Sequence, residues 1–317
     1  IVWFALLVAF GSATQDIALD AFRIESAKAQ YQAALAASYQ TGYRLAMIWA
    51  GAGALWLAAR AETTTGIYLA EAWQFAYLCM ALSISVGVVT TLLSPEPQAV
   101  LLPKARSTGQ WLQQTLIEPF ADFISRYRWQ AFLILGLIAI YRISDVVMGI
   151  MANPFYVDMG YTKDEVAAVT KVFGVIMTLV GAFLGGLLTM RFGVMRVLLL
   201  GGILSAASNL LFAWLSTRGH DLNGLVWVIS ADNLSSGIAS AAFIAYLSSL
   251  TNVQYSATQY ALFSSMMLLL PKWLAGFSGV YVDTFGYEHF FIATALIGIP
   301  VLILIMLAIR IEKTNSS

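Results

Sequence analysis

Long apolar runs alternate along the chain with short polar segments. Runs at 1–22, 43–59, 67–93, 131–152, 165–189, 195–216, 225–250, 258–282 and 290–310 each approach the roughly 20 residues that a helix needs to cross about 30 Å of hydrocarbon. The pattern predicts an all-α polytopic membrane protein with about nine transmembrane helices. The longest connection begins "SPEPQAVLLPKARSTG" and continues "WLQQTLIEPFADFISRYRW". In its second piece Leu112, Leu116, Phe120, Phe123 and Tyr127 recur at helical spacing, with a bend expected at Pro119, which predicts an amphipathic helix along the membrane face. The organisation that follows is three spans in 1–93, a cytoplasmic linker at 94–130, and six spans with a short tail in 131–317.

Composition names the solvent. The chain is 60% hydrophobic and 11% charged, with a mean hydropathy of +0.77, so its surroundings are a lipid bilayer. A formal net charge of zero gives no attraction for nucleic acid, and the single cysteine, Cys79, excludes an internal disulfide. The chain opens at Ile1 inside an apolar run with no basic flank, so a signal peptide is a poor reading, and a fragment lacking its N-terminal part is expected. When gaps between spans are numbered alternately, Arg23, Lys28, Arg44, Lys104, Arg106, Arg126, Arg128, Arg191, Arg196, Arg310 and Lys313 fall on one side, and Arg60, Lys163 and Arg218 on the other. By the positive-inside rule the first side, with the C-terminus, is cytoplasmic.

Ionisable residues within spans are functional candidates, because hydrocarbon tolerates them only in a bundle interior or a wet cavity. In "SATQDIALDAFRIE", Asp16, Asp20 and Arg23 follow at i, i+4 and i+7 on one helix stripe. Two carboxylates a turn apart disfavour joint ionisation, which suits a proton site; the competing reading pairs Asp20 with Arg23 and Glu25 with Lys28. "YRISD" sets Arg142 and Asp145 at i, i+3, either as a mutual pair or as sites for a substrate anion and a proton. Lys171 is near enough to a helix start to snorkel. Asp232 and Lys272 lie deeper, as a structural pair or on opposite walls of a cavity, and Glu71 suits a helix N-terminus.

Both histidines, His220 and His289, fall in short outer loops without companions at metal-ligand spacing. "GAFLGGLLTMRFGVMR" combines Gly181, Gly185 and Gly186 with Arg191, Gly193 and Arg196: either close helix packing with ordinary positive-inside charge, or a latch. Trp49, Trp56, Trp73, Tyr141, Tyr246 and Trp273 suit interfacial belts or core packing more than sugar stacking. No P-loop and no serine nucleophile elbow is present, so neither ATP-driven transport nor hydrolysis is expected.

The strings "ATQDIALDAFRIE", "YRISDVVMGIMANPFYVDMGYTKDEVAAVTKVFG", "GAFLGGLLTMRFG" and "SSLTNVQYSATQYALFSSMM", with "GFSGVYVDTFGYEHFF", resemble in order and spacing the AmpG-type muropeptide permeases of the major facilitator superfamily. That superfamily joins two six-helix halves through a long cytoplasmic loop. The resemblance implies a major facilitator fold of twelve helices, entered here at the fourth. It implies proton-driven import of N-acetylglucosaminyl-1,6-anhydro-N-acetylmuramyl peptides across the bacterial inner membrane, for peptidoglycan recycling and, in some bacteria, β-lactamase induction.

Residue by residue, Thr14, Gln15, Asp16, Asp20 and Arg23 match the family's acidic fourth-helix motif. Arg142 and Asp145 match its basic-acidic pair, where many members carry lysine at the first position. Lys171 matches the lysine opening the eighth helix, and Ser256, Thr258 and Gln259 match its "SATQ" turn. The expected roles are then proton coupling at Asp16, Asp20 or Asp145; substrate contact at Gln15, Arg142, Lys171, Asp232 and Lys272; and gating at Arg23, Gly185, Gly186, Arg191 and Gln259. The expected partners are a small glycopeptide and the lipid bilayer. The protein is expected to act as a monomer with no metal or cofactor, powered by the proton motive force. The alternatives are a carrier of another anion such as acetyl-coenzyme A, and a membrane sensor that binds muropeptide without moving it.

Overall fold

The computed structural model describes residues 2–28, 31–61, 70–97 and 107–315, the side chains at 163, 164, 171 and 312–315 excepted. The described residues form helices and turns, without a strand. Seven stretches are long and apolar enough to cross a bilayer: Val2–Glu25, Ala70–Leu93, Gln130–Asp158, Ala167–Phe192, Val194–Ser216, Leu222–Leu250 and Ser278–Ile311. The two remaining sequence-predicted spans are helical as well. The run at 43–59 is interrupted by a wide π-type turn at Trp49–Gly53, which separates α2 (Gln32–Ile48) from α3 (Ala54–Ala61). The run at 258–282 ends earlier, as α13 (Ser256–Ala275), which is rich in Ser, Gln, Tyr and Lys.

The chain divides into two compact units, residues 1–37 with 99–317, and residues 38–98. In the larger unit α1 (Val2–Glu25) packs by its C-terminal end alone, where Arg23 and Ile24 are buried. Part of the expected linker, 98–106, lies outside the described residues. Its amphipathic piece forms α5 (Thr108–Leu112), a π-type turn at Gln113–Ile117, and α6 (Glu118–Tyr127). The wide turn falls just before Pro119, which has no N–H to continue a regular ladder.

The span Gln130–Asp158 is two half-helices, α7 (Gln130–Ile140) and α8 (Ile143–Asp158), separated at Tyr141–Arg142. After the short α9 (Lys163–Val166) come α10 (Gly174–Phe192), α11 (Val194–Ser216), α12 (Leu222–Leu250), α13, and α14 (Ser278–Asn315), which bends at Gly286 (φ 78°). α12 is the most enclosed of these, buried along its length from Gly224 to Leu250. Small residues make that burial possible: a Cβ on Gly181 of α10 would stand 2.2 Å from the Leu234 carbonyl oxygen of α12, and one on Gly237 would stand 2.4 Å from that of Thr178. Phe155, Phe212 and Phe291 meet edge-to-face or tilted at 5.2–6.1 Å between α8, α11 and α14.

The smaller unit contains the end of α2, the wide turn, α3 and α4 (Ala70–Leu93). Trp49 Nε1 donates to Ser83 Oγ at 2.9 Å. Glu71 lies in the first turn of α4, as expected of an anion at a helix N-terminus.

Candidate functional site

The break between α7 and α8 creates the central feature. Tyr141, stacked on Phe243 at 4.4 Å, donates its hydroxyl to the Leu198 carbonyl at 3.2 Å. Arg142 then leaves helical geometry (φ −91°, ψ 5°). Its guanidinium donates through Nη1 to Ser240 of α12 at 2.8 Å and through Nη2 to Asp145 in the first turn of α8. Arg142 and Asp145 keep 24% and 21% of their side-chain surface exposed, so the pair is reachable from outside the protein core. Arg142 Nε is buried with no hydrogen-bond partner among the described residues. Asp232 of α12 lies within electrostatic reach of both, and accepts from Ser208 of α11 at 3.1 Å. Beside this cluster, Asn209 donates to Ser144 at 2.8 Å, and Ser144 to the Thr294 carbonyl at 2.7 Å, joining α11, α8 and α14.

A second cluster gathers at the end of α1. Arg23, 5% exposed, donates to Ser248 of α12 at 2.9 Å and to Gln32 of α2 at 3.1 Å, and pairs with Asp20 at 3.4 Å. It also lies over the Tyr260 ring at 5.1 Å. Gln32 Nε2 in turn donates to the carbonyls of Arg23, Ile24 and Ala27, satisfying groups that a helix end leaves open. Glu25 accepts from Ser256 of α13, where the sequence suggested Lys28 as its partner.

Gln259 is the hub of a third cluster. Only 1% exposed, it donates to the Pro119 carbonyl at 2.8 Å and Asp122 at 2.9 Å, and accepts from Arg126 at 3.1 Å and the Asn252 N–H at 2.8 Å. Asp122 pairs with Arg126 at 3.0 Å and accepts from Asn252 at 3.1 Å. These bonds tie α6 to the α12–α13 turn. The SATQ segment therefore holds the amphipathic helix in place through Gln259, and its Ser256 is bonded to Glu25.

Other sequence candidates stand apart. Gln15 and Asp16 are exposed on α1, because that helix packs only at its end; Asp16 is within electrostatic reach of Asp20. Lys272 is exposed in the last turn of α13, where the helix dipole favours a cation, while Asp232 faces Ser208, Arg142 and Asp145. Of the two sequence alternatives for Asp232 and Lys272, the mutual pair is not formed, and Asp232 joins the Arg142 cluster instead. The Lys171 side chain lies outside the described residues. Gly185 and Gly186 address different neighbours: a Cβ on the first would stand 2.8 Å from Ile238 Cα, and one on the second 3.3 Å from the Ala33 carbonyl oxygen. Arg191 is exposed, with its guanidinium over the Phe192 ring at 5.5 Å.

At the opposite end of the larger unit, Thr162 and Glu165 form a reciprocal capping box, with Thr162 N–H donating to Glu165 at 2.8 Å and Glu165 N–H to Thr162 Oγ1 at 3.3 Å. Glu165 also meets His220 at 3.0 Å. The hydrogen bond from His220, followed by those from Thr162, holds the Glu165 carboxyl down at about 2. Burial raises the neighbouring Tyr161 hydroxyl above its usual range. Among the described residues no group of three or more His, Cys, Asp or Glu side chains is placed to hold a metal.

Long apolar helices with an arginine and two carboxylates gathered inside a helical bundle define a multi-pass membrane protein of the transporter class. No protein-family model matches the sequence. The chain is 33% identical over 302 residues to a putative transporter AmpG 4 of Rickettsia conorii, covering 95% of this chain and 70% of that protein. It is 34% identical over 304 residues to the anhydromuropeptide permease of Escherichia coli (strain K12), covering 95% and 58%. A putative transporter AmpG 3 of Rickettsia typhi is 30% identical over 295 residues, covering 92% and 67%. The chain belongs to the AmpG family of transporters, with the all-α fold of the major facilitator superfamily. It is a transporter and not an enzyme.

Proposed function

We propose that this protein is a proton-coupled secondary transporter of the bacterial inner membrane, moving anhydromuropeptides from periplasm to cytoplasm with its C-terminus on the cytoplasmic side. The name of the Escherichia coli relative supports the cargo, and the arginine asymmetry supports the orientation. Recovered muropeptides would feed peptidoglycan recycling and the signals that induce β-lactamase.

One observation carries the mechanism: Arg142 is shared between Ser240 and Asp145 near the middle of a span, with Asp232 within electrostatic reach. In the proposed cycle a proton arriving on Asp145 removes the partner charge, and the released guanidinium takes a carboxylate of the muropeptide peptide. Arg142 and that carboxylate then travel with the cavity as it changes access. Loss of the proton to the cytoplasm restores the Arg142–Asp145 pair and expels the substrate. Asp232, Gln15, Lys171 and Lys272 are further substrate-contact candidates, and Asp16 and Asp20 further proton sites. Arg23 and Gln259 hold the α1 and α6 contacts that a gating movement would have to release.

The test is uptake of labelled anhydromuropeptide into sealed vesicles, with and without an inward proton gradient. Gradient-dependent accumulation is expected of the wild type. Asp145→Asn should abolish that accumulation and retain substrate counterflow. Unaltered accumulation by Asp145→Asn would remove Asp145 from coupling, and binding without counterflow by the wild type would make the protein a sensor.

A further inference from the structure

A cavity lies away from the Arg142 cluster, at the end of the larger unit where α6 turns into α7. It encloses about 880 Å³ and is walled by α7, the α10–α11 turn, and the ends of α12 and α14. Its residues divide by chemistry. Leu133, Ile134, Ala308 and Ile309 form an apolar wall, whereas Gln130, Arg196 and Ser249 supply polar groups. Among the described residues Arg196 is the one charged group in the lining, and none of them is acidic.

The surrounding charge is mostly of the same sign. The lining residues Tyr127, Phe192 and Ile309 are immediate neighbours of Arg126, Arg128, Arg191 and Arg310 in the chain, and Ile311 is followed by Glu312 and then Lys313. Arg126 is neutralised by Asp122, but Arg196 is exposed and in none of the ion pairs found among the described residues. Gly193, at φ 86°, turns the chain sharply from α10 into α11 and brings Arg196 to the rim. The cavity therefore offers a positive, hydrogen-bonding rim above an apolar wall.

We propose that this cavity binds an anionic phospholipid, its phosphate at Arg196 and its acyl chains along α7 and α14. The shape and charge match a molecule with an anionic head and a hydrocarbon tail, which a surrounding bilayer supplies at high local concentration. A soluble anion would leave the apolar wall uncovered. A basic recess between spans at the cytoplasmic level is suited to such a headgroup. The inference rests on membrane embedding in the orientation proposed above and is independent of the cargo and of proton coupling.

The experiment reconstitutes the full-length protein in phosphatidylcholine vesicles and measures association of spin-labelled phosphatidylglycerol against spin-labelled phosphatidylcholine. Preferential phosphatidylglycerol binding is expected. Arg196→Gln should reduce it about fivefold, the effect of one basic side chain beside an anionic lipid, while Arg196→Lys should preserve most of it. Ala308→Phe, which fills the apolar wall, should reduce binding with the charge intact. Equal association of the two lipids, or wild-type binding by Arg196→Gln, would overturn the proposal. Displacement of the labelled lipid by glycerol phosphate alone would assign the cavity to a soluble anion and overturn it too. Transport activity enters none of these readouts, so failure of the muropeptide reading leaves the result intact.

Discussion

Arg23, near the end of the first helix, donates to Ser248 of α12 at 2.9 Å across 225 positions of sequence. This bond joins α1 to the most enclosed helix of the larger unit. Asp20 balances the charge of this nearly buried arginine and Gln32 and Ser248 accept hydrogen bonds from its Nη1, while its Nε is buried with no partner among the described residues.

Arg23→Met should therefore lower stability by about 2–4 kcal/mol, because it leaves a part-buried carboxylate and two polar acceptors without their donor. Thermal unfolding in detergent would show the loss. The double variant Asp20→Asn, Arg23→Met should cost less than the sum of the single changes, since neither charge is then stranded.

Gln259→Leu keeps much of the side-chain volume and removes four hydrogen-bonding contacts with α6 and the α12–α13 turn. The expected cost is about 2–3 kcal/mol for the stranded buried groups. Hydrogen exchange should accelerate selectively in 108–127. A uniform acceleration across the chain would argue against a local clamp.

Gly181→Ala and Gly237→Ala should each destabilise by about 1–3 kcal/mol through overpacking at the α10–α12 crossing. Gly186→Ala should cost less, because its nearest neighbour would be at 3.3 Å. Unfolding measurements on the three variants rank the contacts. Equal, negligible effects would show that α10 has room to move away.

The Glu165–His220 contact makes a pH prediction. Because the folded carboxyl is held at about 2 against an ordinary 4.5, its contribution to stability is present above the ordinary value and lost as pH falls toward 2. A disulfide-free distance probe across the 162–165 and 217–221 turns should report loosening over that acid window. Glu165→Gln should be loose already at neutral pH and show a flatter profile.

The sequence made the helices legible because hydrocarbon selects long apolar runs, and it exposed Arg142–Asp145 and Asp20–Arg23 because i, i+3 neighbours share a helix face. It did not reveal Ser240 or Ser248 as partners of those arginines. Helical spacing assigns a residue to a face but does not name the helix opposite. Asp232 and Lys272 show the same limit: their opposite signs allowed either a pair or opposite walls of a cavity, and helix packing puts Asp232 beside Ser208 and leaves Lys272 exposed. In Gln259 the signal was polarity within SATQ, and its four contacts came from segments that only the folded chain brings together.

α12 carries Asp232, Ser240 and Ser248 at intervals of eight residues, about 12 Å apart along the axis. Its contacts at those points reach α11, the break between α7 and α8, and α1 in turn. It is thus built like a camshaft, one rod that engages a different follower at each of three levels. In the proposed transport cycle a turn of that rod would give distant charge pairs a common clock, without requiring a chain of residues to relay the message between them.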